Sequence, residues 1–212
     1  QGVVEAQFAL GSAYAAGRGV TKDMNEAVNW YRKAANAGMP DAEFNLGAMY
    51  FAGEGVAKNL TEAMTWTKKA ADHGHPQARM NMGLMYINGQ GVTKDRGQAL
   101  EWFRKANASK FPEAINAIRA MAEEGYAPAQ VEMGQAFENG RGVPKLITEA
   151  VSWYREAALQ NNAAGQYNYG RMYAAGTGVP QSDAEAAQWF EKAAKQGHAQ
   201  AKARLKAPTS AK

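Results

Sequence analysis

Apolar and small residues recur along the chain with the spacing of an amphipathic helix. Ala42, Leu46 and Tyr50 lie four residues apart, so they share one stripe of a helix that we predict over Pro40–Ala52. Gly47 lies beside this stripe. A glycine in mid-helix costs about 1 kcal/mol relative to alanine. We therefore expect a second helix to approach this position closely.

A turn and a second helix follow the first. Gly53 and Gly55 predict a chain reversal, because glycine adopts the positive φ angles that tight turns need. We predict the second helix over Asn59–His73, with Trp66 on its inner face and Gly74 at its end. The expected N-caps of this second helix in the first three copies are Asp23, Asn59 and Asp95. The two helices predict an antiparallel hairpin, whose members we call helix A and helix B.

The hairpin pattern is written five times. Gly47 follows Gly11 by 36 residues, and the pair containing this glycine reads Leu10-Gly11, Leu46-Gly47, Met82-Gly83, Met133-Gly134 and Tyr169-Gly170. A fixed period of this size predicts an all-α solenoid, in which each unit buries its apolar face against its neighbours. We expect a single domain over 1–212 with repeats at about 2–37, 38–73, 74–109, 125–160 and 161–196.

The repeat motifs resemble a known family. Leu46-Gly47-Ala48-Met49-Tyr50, followed by Gly53-Glu54-Gly55-Val56 and by Glu62-Ala63-Met64-Thr65-Trp66, is similar to the Sel-one-like repeat (SLR) family, a relative of the tetratricopeptide repeats. The resemblance implies a right-handed α-α superhelix with an inner groove lined by helix A. It also implies an adaptor role, mostly in bacteria.

The repeat period is interrupted once, and the last repeat unit at the end of the chain is incomplete. Gly134 follows Gly83 by 51 residues, which places a helical insertion at 110–124 between the third and fourth repeats. Either helix B of the third repeat breaks near Ser109–Phe111 and resumes at an angle, which we prefer, or a separate helix folds back. We expect a short cap helix at 197–206 and a disordered tail at 207–212. Gln1 falls in the phase of a repeat end, so we expect either a cleaved leader or further repeats before it.

Charge and composition exclude several functions. The net charge of +4 comes from the four basic residues after position 201, since removing them from the 24 basic residues leaves 20, equal to the 20 acidic ones. Nucleic acid is therefore not an expected partner. The chain has no cysteine. No cofactor, metal site, catalytic residue or transmembrane segment is predicted, and His75 is expected on a surface loop.

Helix A also carries residues beside its core stripe, and the resemblance to tetratricopeptide repeats implies that they face the concave groove. They alternate apolar groups with side-chain amides, a combination that suits an extended peptide. The predicted binding residues are Phe8, Phe44, Asn45, Met80, Asn81, Leu84, Gln135, Tyr167, Asn168 and Arg171. Arg171 is expected to anchor a carboxylate. Packing of Phe8, Phe44 and Tyr167 against the next helix A remains the alternative.

These features predict a non-enzymatic scaffold that binds an extended protein segment in its concave groove. The chain is expected to be monomeric. The family resemblance implies a periplasmic or secreted protein, with the cytoplasm as the alternative. A second hypothesis is a regulatory or targeting array of a larger protein whose catalytic part lies outside this chain.

Overall fold

The computed structural model describes residues 2–206, which form twelve α-helices and no strand. The predicted all-α repeat fold is confirmed. The helices are α1 Gly2–Ala16, α2 Met24–Asn36, α3 Pro40–Ala52, α4 Leu60–Asp72, α5 Pro76–Asn88, α6 Arg96–Ala108, α7 Pro112–Glu123, α8 Ala127–Asn139, α9 Ile147–Leu159, α10 Ala163–Ala175, α11 Asp183–Lys195 and α12 Ala199–Lys206.

The helices divide into two compact units, one reaching to Ala114 and the other beginning at Ile115. In the first unit α1 packs on α2, α2 on α3, α3 on α4, α4 on α5 and α5 on α6. In the second unit α8 to α12 do the same, and α8 also contacts α10. Helix A corresponds to α1, α3, α5, α8 and α10, and helix B to α2, α4, α6, α9 and α11. The single domain and the right-handed superhelix stay predictions.

The predicted turn and cap form the link from helix A to helix B. Helix α3 ends at Gly53, whose φ of 79° is left-handed. The Asn59 side chain accepts hydrogen bonds from the backbone N–H groups of Thr61 and Glu62, at 3.0 and 3.1 Å. The backbone N–H of Asn59 also donates to the Tyr50 carbonyl at 2.9 Å, which closes the hairpin. Asp23 and Asp95 cap α2 and α6 by side-chain acceptance, as predicted.

The second glycine of the turn is required by the neighbouring repeat. A Cβ at Gly55 would lie 2.2 Å from the Met24 carbonyl oxygen, and a Cβ at Gly91 would lie 2.1 Å from the Leu60 carbonyl oxygen. Both glycines also have φ near 70°. The turn of each of these repeats therefore presses on the start of helix B in the preceding repeat.

The insertion forms helix α7, which a turn at 109–111 separates from α6. The helical insertion and the break near Ser109–Phe111 are therefore present, while the direction in which α7 continues relative to α6 stays a prediction. Helix α6 is 13 residues long, the same length as helix B in the second repeat. The turn after it repeats the usual link from helix B to the next helix A, with the Phe111 N–H donating to the Ala106 carbonyl at 3.2 Å. In this turn Lys110 takes a left-handed φ of 58°, where Gly74 stands one repeat earlier. Helix α7 thus follows a turn like the one before α5, where the His75 N–H donates to the Ala70 carbonyl at 2.9 Å.

A glycine and an aromatic ring set the distance between the two helices of most repeats. The helix A glycine lies against the residue after the helix B tryptophan, so an added Cβ at Gly83 would stand 2.2 Å from the Phe103 ring. The equivalent pairs, with the closest approach of such a Cβ, are Gly11–Tyr31 at 2.7 Å, Gly134–Tyr154 at 2.4 Å and Gly170–Phe190 at 3.0 Å. In the second repeat the residue facing Gly47 is Thr67.

A polar side chain near the start of helix A connects consecutive repeats. The buried Gln166 donates from Nε2 to the Ala158 carbonyl at 3.5 Å and accepts from Gln196 Nε2 at 2.8 Å. The same positions recur as Gln130 with Ala122 and Gln160, Arg79 with Ala71 and Ser109, and Glu43 with His73. Because a buried polar group needs a partner, these bonds favour one register of each repeat on the next.

The end of the described chain is a short helix, as predicted. Helix α12 packs on α11 and buries Ala201. Leu205 on the same helix is exposed. The predicted disorder of 207–212 and the predictions about Gln1 lie outside the described residues.

Replacing Gly83 by alanine should destabilise the protein. The new methyl group would overlap the buried Phe103 ring, and this overlap outweighs the roughly 1 kcal/mol that alanine gains over glycine in a helix. We expect a net loss of about 1–2 kcal/mol in the free energy of unfolding, measured by urea denaturation. Gly2→Ala is the control, because no atom lies within 4 Å of its Cβ position. Equal stability of Gly83→Ala and wild type would contradict the role of this contact.

Candidate binding groove

The second repeat contains an open cavity where the other repeats hold a ring. Thr67 faces Gly47 without a ring, whereas Tyr31 and Phe103 place a ring against the glycine of their own repeats. Gly47 and Thr67 both line the cavity. The cavity has a volume of about 420 Å³. Its lining comes from α3, α4, α5 and the turn after α5, and consists of Gly47, Ala48, Phe51, Ala52, Thr67, Asn81, Leu84, Met85 and Gln90.

Two large apolar side chains stand at this cavity while partly exposed to water. Phe51 is 38% exposed and Leu84 is 39% exposed. Asn81 and Gln90 supply side-chain amides on the same wall. Gln77 Nε2 donates to the Asn81 side-chain oxygen over a long distance of 3.5 Å. The cavity therefore joins apolar area with amide groups that can bond to a peptide backbone.

The row of apolar residues that we predicted to face the groove packs within the fold. Phe44 stacks on His75 with ring centroids 4.4 Å apart, and Tyr167 stacks on His198 at 4.6 Å. Phe8 lies 5.6 Å from the Tyr31 ring, and Met80 is buried. Phe44 and Tyr167 contact the residues that precede the next helices α5 and α12, as the packing alternative expected, whereas Phe8 contacts helix B of its own repeat.

The three predicted asparagines differ in exposure. Asn168 is buried, whereas Asn45 and Asn81 are half-buried. Of the three, Asn81 lines the cavity. Of the ten binding residues predicted from the sequence, Asn81 and Leu84 therefore line this cavity together.

In the second unit the equivalent surface carries an ion pair. Arg171 Nη2 donates to both carboxylate oxygens of Glu138, at 2.9 and 2.7 Å. Tyr154 Oη donates to the same carboxylate at 2.7 Å. Arg171 is thus engaged within the chain, and its expected role as the anchor of a partner's carboxylate stays a prediction. The predicted Gln135 is half-buried on α8 of this unit.

The pair occupies the same repeat positions as the apolar residues of the cavity. Glu138 and Arg171 are 33 residues apart, as are Phe51 and Leu84. One repeat position therefore carries an apolar pair in the first unit and a charged pair in the second.

The ion pair shifts the pKa of each member. Burial alone would raise the pKa of Glu138, but hydrogen bonds from Arg171 and Tyr154 outweigh it and hold this pKa below its ordinary value. The hydrogen bond to Glu138 raises the pKa of Arg171. Burial, followed by the bond to Glu138, raises the pKa of the Tyr154 hydroxyl. The pair is therefore ionised at neutral pH.

His75 has a structural role that the sequence did not predict. It caps α5, with Nδ1 accepting from the Ala78 N–H at 3.2 Å, and is not on an open surface loop. Burial lowers the pKa of His75, although Asp41 acts in the opposite direction. A neutral imidazole suits this accepting role. Within residues 2–206, no group of three or more His, Asp or Glu side chains could hold a metal ion.

Comparison with protein families decides the identity of the fold. The model of the Sel1 repeat matches residues 4–39, 40–75, 76–110, 127–162 and 163–198. The chain belongs to the Sel1 repeat family. The resemblance drawn from the sequence is confirmed. Sel1 repeat proteins generally act as protein–protein interaction scaffolds and are typically non-catalytic. No curated protein matches the chain significantly.

Solved Sel1 repeat structures include bacterial proteins similar to this chain. A protective antigen of uropathogenic Escherichia coli with an SLR fold is 30% identical, with a TM-score of 0.56 over 97% of this chain. The chain spans 56% of that antigen's length. A Sel1 repeat protein from Oxalobacter formigenes is 34% identical, with a TM-score of 0.50, and the match covers 91% of this chain and 73% of that one.

Sequence reasoning missed Phe51, Thr67 and Glu138. The signal for Thr67 was present, because the residue after the Sel1 tryptophan reads Tyr31, Thr67, Phe103, Tyr154 and Phe190. Thr67 is the one residue of this set without a ring. Among the described residues, no helix is both long and apolar enough to cross a membrane.

Replacing Arg171 by methionine should lower the stability of the protein by an amount that depends on pH. The pKa of Glu138 is lower in the folded protein than in the unfolded chain, so the pair's stabilisation is complete above the unfolded pKa and is lost as pH falls through the folded pKa. At pH 7 we expect Arg171→Met to lose about 1 kcal/mol of unfolding free energy, after allowance for solvent screening. The difference from wild type should shrink as pH falls below about 4.

Thermal and urea unfolding between pH 3 and pH 7 would measure this difference. Arg155→Met is the control, because Arg155 and its neighbour Glu156 are about half exposed and 3.6 Å apart. A loss in Arg171→Met that stays constant over this pH range would contradict the assignment.

Proposed function

We propose that this chain is a non-enzymatic scaffold that binds an extended segment of a partner protein on the helix A surface of its first unit. The observation that carries the proposal is the cavity lined by Phe51, Leu84 and Asn81. Apolar side chains that stay partly exposed around a concave site are typical of surfaces that bind other proteins. The scaffold role common in Sel1 repeat proteins supports the same direction.

The arrangement of the groups suits an extended segment. Phe51 comes from α3, whereas Asn81 and Leu84 come from α5, so the site lies across two repeats. A segment that crosses these helices can place a side chain in the cavity and bond its backbone to the Asn81 amide. The stacked helices hold these groups in place before binding, which lowers the entropy cost of association.

The second unit is less suited to the same role. Its equivalent positions hold the Glu138–Arg171 pair, and a segment binding there would have to displace two charge-assisted hydrogen bonds. We therefore assign the groove to the first unit and leave Gln135, Asn168 and Arg171 out of it.

The scaffold acts as a monomer in the periplasm or outside the cell. Support for this location is the likeness to the Escherichia coli protein described as a protective antigen. A balanced surface charge, apart from the basic residues after position 201, favours a protein partner over nucleic acid.

Retention of a partner by the tagged protein tests this function. The bait is incubated with envelope extract of the source organism as wild type and as the double variant Phe51→Ser/Leu84→Ser. Both side chains are partly exposed, so we expect the variant to remain folded and to retain at least roughly tenfold less of any specific partner.

Exposed leucines elsewhere provide a matched control. Leu146→Ser/Leu159→Ser removes two apolar side chains that are 46% and 58% exposed in the second unit. A protein retained by wild type and by this control, but not by the groove variant, supports the proposal. Equal retention by all three baits, or no specific protein with any of them, overturns it.

A further inference from the structure

The cavity in the second repeat has the position of a missing aromatic ring. In the other four repeats a Tyr or Phe ring lies against the helix A glycine, and in the second repeat Thr67 faces Gly47. The structure therefore shows in four places what kind of group fits between these helices. An empty space between helix A and helix B lowers the stability of the fold, because the atoms that line it lose their packing contacts.

We propose that a phenylalanine side chain of the bound segment enters this cavity and completes the row of rings. The proposal rests on the proposed function and adds the chemistry of the partner. It makes the second repeat a specificity pocket whose missing ring is supplied from outside.

The size of the cavity allows this occupant. Its volume is about 420 Å³. An apolar protein cavity of about 150 Å³ already binds benzene, so a phenyl ring fits with room for the adjoining backbone at the mouth. Ala48, Phe51, Leu84 and Met85 supply the apolar walls. Phe51 can form a tilted ring pair with the guest, and the Met85 sulfur suits contact with an aromatic ring.

The polar groups of the other repeats favour phenylalanine over tyrosine. Tyr31 Oη donates to Ser12 Oγ at 3.1 Å, and Tyr154 Oη donates to Glu138. The residues at the corresponding positions of the second repeat are Ala48 and Phe51, whose side chains accept no hydrogen bond. A tyrosine hydroxyl at that place would lose its water without the partner that it has in the other repeats, which is unfavourable.

The amides at the rim hold the guest by its backbone. Asn81 and Gln90 line the cavity together with the apolar walls. A peptide whose phenylalanine is inserted brings its own N–H and C=O groups close to this rim. Amide side chains can both donate to and accept from such groups.

Amino-acid amides test the pocket without knowledge of the partner. N-acetyl-phenylalanine amide, N-acetyl-tyrosine amide and N-acetyl-alanine amide are titrated into the full chain, and the methyl resonances of Met85 and Thr67 are followed by NMR. We expect shifts that decrease in the order phenylalanine, tyrosine, alanine. Equal responses to the phenylalanine and alanine amides would overturn the proposal.

Two variants block the cavity from different sides. Thr67→Phe supplies the ring from within the chain, and Ala48→Phe covers the mouth from an exposed helix position. We expect the Met85 response to the phenylalanine amide to disappear in both. Thr67→Phe should also raise the melting temperature, because it fills a void. Thr65→Phe, at an exposed position of the same helix, is the control and should respond as wild type does.

The outcomes separate this proposal from the scaffold function. A response that persists in folded Thr67→Phe and in Ala48→Phe overturns the pocket. Once a partner that wild type retains has been identified, its loss from the Thr67→Phe variant supports the phenylalanine pocket. Retention by Thr67→Phe but not by Phe51→Ser/Leu84→Ser overturns the pocket and leaves the groove. Retention by all variants overturns the scaffold proposal itself.

Discussion

The close contact between the helix A glycine and the helix B residue that faces it, an aromatic ring in four of the five repeats, is the constraint on which the rest of each repeat depends. At Gly83 there is no room for a single methyl group, because its position is already taken by the Phe103 ring. Protein interiors are packed too densely to absorb such an overlap by small shifts. The contact therefore sets the distance between the two helices. That distance in turn brings the Asp95 N–H within reach of the Tyr86 carbonyl, at 3.1 Å, which closes the hairpin.

A second set of contacts fixes how one repeat meets the next. Gln166 bonds to a carbonyl of the preceding helix and to Gln196 at the end of its own repeat. The glycine contacts act within a repeat, whereas the buried amide must find its hydrogen-bond partners on the neighbouring helix. The glycine contacts therefore set the spacing of the helices within a repeat, and the polar contacts set the register between repeats. With helix spacing and register both fixed, the outer residues of helix A are free to vary, and the exchange of Phe51 and Leu84 for Glu138 and Arg171 is such a variation.

Much of the fold could be predicted because its determinants are local. The helix over Pro40–Ala52 and the caps at Asp23, Asn59 and Asp95 follow from spacing, glycine turns and side-chain capping. The turn before α7 was harder to predict, since the left-handed conformation of Lys110 leaves no mark in the sequence. The groove was predicted only in part. Whether Phe44 faces a ligand or His75 depends on the next repeat, and the periodicity of one helix does not show that.

The cavity beside Thr67 shows how a repeat fold can acquire a site without new backbone. Removing one ring from a small domain with a single compact core would remove a large share of its stabilisation. In a repeat protein the stability is distributed over units and their neighbours, so the intact rings Tyr31 and Phe103 on either side maintain the helices around the gap. The same four rings that make the fold stable also define the shape of the space that the fifth position leaves open. Such a site can be found by comparing the repeats of one chain with each other. A residue that differs from its equivalents in the other repeats marks a position that packing alone does not explain.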